Sequence, residues 1–343
     1  MKSALTLATI CVGLQLELTG CDRITSPDGP TGNVYTIMFV KDRKLCTIKS
    51  DGSALNVTTF NGLWCYGAKR ASTGNLIAFV GDSASVPGLY LTSSQGDAPT
   101  RIAVLGSPES MVPIMFSWCP DAKKIVYCDS RYQLWVVDVY SRIPVQVAPT
   151  FSTLPIWSPD GRYVMDTYIP ADSIAPSPYL VQVDGSGMTR LPISSGEFIG
   201  EAWTQGNTIV FHGGPIPFTL PGATDDLFLY DLSDSTLTKL SHDGKTAGGE
   251  LSPDQTRLIV SKVNGNSITY YTMNLKDCSL QTLLVGYKVS GLAWSPDSKE
   301  IAFMIPSTSV QYALDLCVIS AEGGQPRILA TGIESLMLDT YSE

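Results

Sequence analysis

Trp294-Ser295-Pro296-Asp297-Ser298-Lys299-Glu300-Ile301-Ala302-Phe303 reads as the end of one strand, a tight turn and the start of the next. Proline fixes φ for the turn, and the aspartate can hydrogen-bond backbone groups two residues on. The Ile-Ala-Phe triplet is β-branched and aromatic, as a buried strand should be. The pattern returns at Trp118-Cys119-Pro120-Asp121, at Trp157-Ser158-Pro159-Asp160-Gly161 and at Leu251-Ser252-Pro253-Asp254, each followed by an apolar run. Two degraded copies start at Arg70 and at Trp203, the second one residue shorter. First positions at 70, 118, 157, 203, 251 and 294 give a mean period of about 45 residues. A period of this size marks a repeat architecture in which each unit needs its neighbours to bury a core.

A second element follows each copy: a short apolar strand, a polar turn and another strand, beginning at Leu45, Leu89, Leu134, Leu180, Phe228, Tyr270 and Leu316. Its turns include Asp51-Gly52, Gln95-Gly96, Asp184-Gly185 and Gly323-Gly324, which are hairpin signals. Seven of these against six of the first element predict an all-β, seven-bladed β-propeller of four-stranded blades. Removing the first 21 residues from 343 leaves 322, or 46 for each of seven blades. Six blades, the alternative, would need longer units, and a β-solenoid shorter ones. Blade one begins with its second strand near Tyr35. Its first strand is expected from the C-terminus, around Ile333 to Leu338, closing the ring and hiding two strand edges.

The N-terminus reads as a targeting signal. Met1-Lys2 is followed by a mainly apolar run from Ala4 to Leu16, too short to span a bilayer. Leu18-Thr19-Gly20-Cys21 resembles the lipobox of bacterial lipoproteins, which implies lipid modification of Cys21. The expected division is a signal peptide over 1–20, a flexible tether over 21–33 and the propeller over 34–343. The lipid would be the only membrane attachment, in the cell envelope, on the periplasmic side or the cell surface.

The Trp-Ser-Pro-Asp-Gly type repeat, best carried by Trp157 to Val164 and Trp294 to Phe303, resembles the TolB-like propeller repeat, a relative of WD repeats. The resemblance covers nearly the whole mature chain and implies the propeller architecture. Members of that family include a periplasmic protein that works with an outer-membrane lipoprotein, propeller domains on serine peptidases, and sugar-acid lyases, so fold alone selects no function. The best-known member has six blades and an extra α/β domain, for which this sequence shows no helical segment.

Composition excludes some functions. There are 23 basic against 32 acidic residues, for a net charge of -9, and no basic run to form a nucleic-acid face. Only His212 and His242 are present, too few for the multi-histidine metal site of the lyases. Ser241-His242-Asp243 is contiguous, and a catalytic triad needs convergence from separate segments. Gly244-Lys245-Thr246 lacks the first glycine of a phosphate loop, and no nucleophile elbow exists. No cofactor or metal is expected. Asp121, Asp160, Asp254 and Asp297 are read as turn formers, and Trp118, Trp157, Trp203 and Trp294 as blade packing. Six cysteines beyond Cys11 and Cys21 are even in number, but no pair is named.

The chain is therefore read as a non-enzymatic, protein-binding scaffold of the envelope. With the strands of a blade named a to d from the channel outward, the a–b and c–d turns are short and share one face. The b–c loops on the other face carry insertions, at Asp166 to Pro178, His212 to Asp226 and Pro306 to Tyr312. Their Tyr168, Ile169, Ile174, Ile216, Phe218, Leu220 and Tyr312 form the candidate partner surface. The alternative is an envelope enzyme or a glycan-binding propeller working from the central channel. Convergent His, Asp/Glu or Arg side chains in the channel would mark that alternative.

Overall fold

The computed structural model describes residues 33–342, except 84–85, 107–115, 150–154, 169–176, 194–196, 215–223, 266, 312 and 334–336. The chain forms seven four-stranded antiparallel sheets arranged as the blades of a ring. Every copy but that at Leu251, which lies four residues past its strand, places its first position at the end of an inner strand. These inner strands are Trp64–Arg70, Phe116–Trp118, Ile156–Trp157, Glu197–Trp203, Thr246–Ala247 and Ser290–Trp294 for blades 2 to 7. The second sequence element supplies the third strand of every blade, as in Lys44–Lys49 of blade 1 and Leu314–Ser320 of blade 7.

The turn chemistry follows from the residues. Asp160 Oδ1 accepts from Arg162 N at 3.0 Å and from Ser158 Oγ at 2.7 Å, while Ser158 Oγ accepts from Tyr163 N at 2.9 Å. The same set recurs around Asp254 and Asp297. The fourth residue after each first position has positive φ: Gly74, Ala122, Gly161, Asn207, Gln255 and Ser298. This left-handed residue lets a short loop return the chain into an antiparallel strand.

The core lies between blades. In blade 1, Ile37 and Phe39 pack against Ala302, Met304 and Leu316 of blade 7, whereas Met38 and Val40 pack against Ile77 and Phe79 of blade 2. Successive strand side chains point to opposite faces. A strand covered by a blade on each side therefore reads as a continuous apolar run rather than an alternating one. Seven clusters of buried residues occupy the seven junctions.

The ring closes through a C-terminal strand, but later than the sequence suggests. Ile333 ends the outer strand of blade 7, Arg327–Ile333, opposite Leu314. The closing strand is Asp339–Tyr341, paired with Thr36–Lys41 through Met38↔Asp339 and Thr36↔Tyr341. Leu338 is buried in the blade 7–blade 1 core instead. Pairing also shortens two b–c loops: Tyr168 still pairs with Ser177, and Gly213 with Asp226. Cys46, Cys65, Cys119, Cys128, Cys278 and Cys317 are unpaired thiols. Cys317 fills a fully buried strand position, and burial pushes its thiol up to about 12. Residues 1–32, with Cys21, the signal and almost all of the tether, lie outside the described residues, and no helix among the described residues is long and apolar enough to cross a membrane.

Candidate functional site

Blade 5 builds an ionisable cluster where its inner strand meets the channel. In that strand Gly200 pairs with Phe211 and Ala202 with Val210, so Glu201 sits on a β-bulge. A bulge re-aims the side chain it carries. Here it brings the Glu201 carboxylate to His212 on the next strand, whose Nδ1 donates to Oε1. The two side chains are only 14% and 16% exposed. Gly248, beside the inner strand of blade 6, provides the room, since a Cβ there would lie 2.4 Å from Glu201 Cγ.

Asp225 completes the group from the end of the b–c loop. Its N–H donates to Gly244 O at 3.1 Å and its carbonyl accepts from Thr246 N at 2.8 Å, which ties it to blade 6. Its Oδ1 is buried and has no hydrogen-bond partner. Burial pushes the Asp225 carboxyl up to about 6; the His212 charge opposes that rise, and Glu201 and Asp226 add to it. Neighbouring Asp226 is satisfied, accepting from Ser241 Oγ at 2.9 Å and Gly244 N at 3.0 Å and pairing with Lys239 Nζ at 2.7 Å. Burial alone would lower the His212 imidazole. The Glu201 hydrogen bond and the charges of Glu201, Asp225 and Glu197 outweigh it and hold His212 above its ordinary value.

Three more charged groups extend the cluster along the channel wall: Lys69 on blade 2, Glu250 just ahead of the blade 6 turn, and Asp339 on the closing strand. Enclosure by the inner walls raises Glu250, Lys69 pulls it back and Glu201 pushes it further up. The Glu250 side chain itself remains exposed. Burial likewise lifts Asp339 to about 6, against its hydrogen bond from Arg70 N at 2.6 Å and the Lys69 charge.

Chemically, this wall holds a histidine braced by a carboxylate, beside carboxyls that burial pushes up to about 6. Such groups gather at functional sites because burial and like charge tune them there. Among the described residues, no group of three or more His, Cys, Asp or Glu side chains is arranged to hold a metal ion.

The sequence reading placed some residues and missed others. Asp121, Asp160, Asp254 and Asp297 are turn formers, with carboxyls held below the ordinary range by the hydrogen bonds of their own turns. Ser241 serves Asp226, His242 contacts the Ser241 carbonyl and Asp243 pairs with Lys262, so the three do not converge on one another as a triad. Of the candidate partner residues, Tyr168 ends the second strand of blade 4 and meets Tyr179 edge-on at 5.7 Å. Ile169, Ile174, Ile216, Phe218, Leu220 and Tyr312 lie outside the described residues. Glu201, Asp225, Glu250, Lys69 and Asp339 were not singled out. Their signal was faint but present: Lys69 and Glu250 stand one place before a repeat's first position, and Glu201 two, at the inner end of the blade.

No protein-family model matches the sequence, and no curated protein matches it. Solved structures do. TolB from Acinetobacter baumannii is 17% identical, with a TM-score of 0.58 over 83% of this chain and 67% of that one. An oligogalacturonate lyase from Vibrio parahaemolyticus is 13% identical, with a TM-score of 0.60 over 88% of this chain and 86% of that one. The tricorn protease is 11% identical, with a TM-score of 0.63 over 87% of this chain and 33% of that one. Identities this low establish the fold alone. The expectation of a chain without enzymatic activity is corrected to this extent: the same propeller fold occurs, at low identity, in an oligogalacturonate lyase and in proteases. The seven-bladed propeller seen in this chain is thus similar in fold to TolB.

Proposed function

We propose that this chain is an envelope propeller, anchored by a lipid on Cys21, that binds a protein partner across the face opened by its b–c and d–a connections. The observation that carries this reading is the sidedness of the ring. The a–b face is closed by tight Ser-x-Asp turns. The other face takes the b–c connections of blades 4 and 5, which leave the sheet after Tyr168 and Gly214. Lipobox-like Leu18-Thr19-Gly20-Cys21 supports the location. Affinity purification from detergent-solubilised envelopes tests the partner. A protein recovered with the wild type and lost with a Phe218→Asp, Ile169→Asp double variant supports this face, and equal recovery refutes it. Failure of Cys21→Ser to abolish labelling by radioactive palmitate would refute the anchor.

A second reading is favoured by the meeting of His212, Glu201 and Asp225: a polar ligand, a glycan among the candidates, is bound or turned over at the channel wall. Its signature is loss of ligand binding in His212→Gln with partner recovery intact, the reverse of the loop variant.

A further inference from the structure

The repeat contains its own control. In three blades the tryptophan that opens the a–b turn donates its indole Nε1–H to a main-chain carbonyl on the inner wall of the preceding blade. Trp118 bonds Lys69 O at 3.0 Å, Trp157 bonds Ser117 O at 2.9 Å and Trp294 bonds Glu250 O at 3.0 Å. The acceptor is in every case the residue just before the preceding copy's first position. Trp203 stands at the same place in blade 5 and is 8% exposed, yet its Nε1 has no hydrogen-bond partner. Native interiors seldom leave a buried donor unmatched.

The surface opens at the same junction. A cleft of about 410 Å³ lies between the a–b turns of blades 4 and 5, with Arg162 and Tyr163 on one wall, Gln205 and Asn207 on the other, and Leu180 and Trp203 at its base. Its origin is in the sequence. After Trp157 the next strand starts six residues on, at Tyr163, but after Trp203 it starts five on, at Thr208. Thr204-Gln205-Gly206 also replaces the Ser-Pro-Asp that fills the turns after Trp157, Leu251 and Trp294. The junction with the shortened turn is thus also the one whose indole has no acceptor.

We propose that this cleft takes an extended segment of a partner polypeptide, whose main-chain carbonyl accepts from Trp203 Nε1 as those of Lys69, Ser117 and Glu250 accept from the other three indoles. The fold has already set this donor for a strand carbonyl in three blades, which is the reason to choose a peptide over a sugar. The Gln205 and Asn207 amides can meet both N–H and C=O groups of a main chain, and Leu180 offers an apolar seat for a side chain. An anionic ligand is disfavoured, because Asp160 already pairs with Arg162 at 2.6 Å. The nitrogen lies under the cleft floor, so binding includes a side-chain shift at the wall, where Arg162 is the exposed member. The site is on the a–b face, opposite the partner surface proposed above, and stands independently of it.

The test is a ¹H–¹⁵N spectrum of the full chain with labelled tryptophan, the Trp203 indole signal being assigned by its loss in Trp203→Phe. The probe is an acetylated and amidated hexapeptide of alternating alanine and proline, which is extended without folding. The expected result is a saturable downfield shift of the Trp203 signal, with the Trp118, Trp157 and Trp294 signals unmoved. Affinity measured from the peptide's own resonances should fall at least about fivefold in Trp203→Phe, about 1 kcal/mol for the lost hydrogen bond. A shift with cellotetraose and none with the peptide would overturn the proposal and assign a glycan. No shift with either would overturn it, as would unchanged peptide affinity in Trp203→Phe.

Discussion

Tryptophan plays two roles at one repeat position, and single substitutions separate them. Trp157→Phe keeps an aromatic ring in the blade 3–blade 4 core but strands the Ser117 carbonyl, and it should cost about 1–3 kcal/mol in chemical denaturation. Trp203→Phe removes a donor that has no partner, and its cost should stay within about 1 kcal/mol. Equal costs would show that the indole hydrogen bonds contribute little to blade packing. The turns carry a second residue-level prediction. Gly161 has φ +69°, and a Cβ there would lie 2.8 Å from Cys119 Sγ. Gly161→Ala should therefore cost about 1–2 kcal/mol and lower the melting midpoint by roughly 2–6 °C. At this scale much was legible: Ser-Pro-Asp specifies the hydrogen bonds that close its turn, because these run between residues no more than five apart. The Trp203 exception was visible only as a shortened copy, since its missing acceptor belongs to another blade.

The inner strands form the element whose chemistry is least local. Asp225 and Asp339 are pushed up to about 6. A carboxyl with a raised folded pKa holds its proton more tightly folded than unfolded, so stability rises as pH falls from 7 through 6 and the gain is complete below the unfolded value near 3.9. His212, also raised, adds stability that is present below about 6.5 and lost as pH rises through its folded value. Asp243, lowered to about 2, and the turn aspartates act oppositely, and their contribution is lost as pH falls below about 4. The melting midpoint should rise by roughly 2–4 °C between pH 7.5 and 5.5 in differential scanning calorimetry, then fall below about pH 4. The Asp225→Asn, Asp339→Asn double variant should flatten the upper limb. A midpoint that drops steadily from pH 7.5 to 5.5 would contradict this account of the channel. Strand period and apolar runs were readable here because each blade is covered on both faces. The cluster was not, because Lys69, Glu201, Glu250 and Asp339 are separated by tens to hundreds of residues and meet only when the ring closes.

Closure governs the whole molecule. The C-terminal strand pairs with Thr36–Lys41, Arg70 N bonds Asp339, and Thr340 Oγ1 bonds the Trp294 carbonyl, so one short segment joins blades 7, 1 and 2. Deleting residues 339–343 should leave blade 1 with three strands and an unpaired edge, which invites pairing with another chain. The expected outcome is a melting midpoint lowered by at least about 5 °C and concentration-dependent association in size-exclusion chromatography. Wild-type melting and a monomeric profile would mean that the closing strand is dispensable.

The repeat by itself determined the all-β class, the seven blades, the turn chemistry and closure by the C-terminus, because each follows from residues within one 46-residue unit or from counting such units. Only the tertiary structure decided where the closing strand lies and which polar residues meet. Ile333 looked equally able to close the ring until pairing with Leu314 assigned it to blade 7. His212, one of two histidines, gained Glu201 through a bulge that no composition reveals and Asp225 through a loop fastened to the next blade. A local rule can specify a turn or a strand. The protonation chemistry of this channel depends on distances between blades, which exist only once the ring is complete.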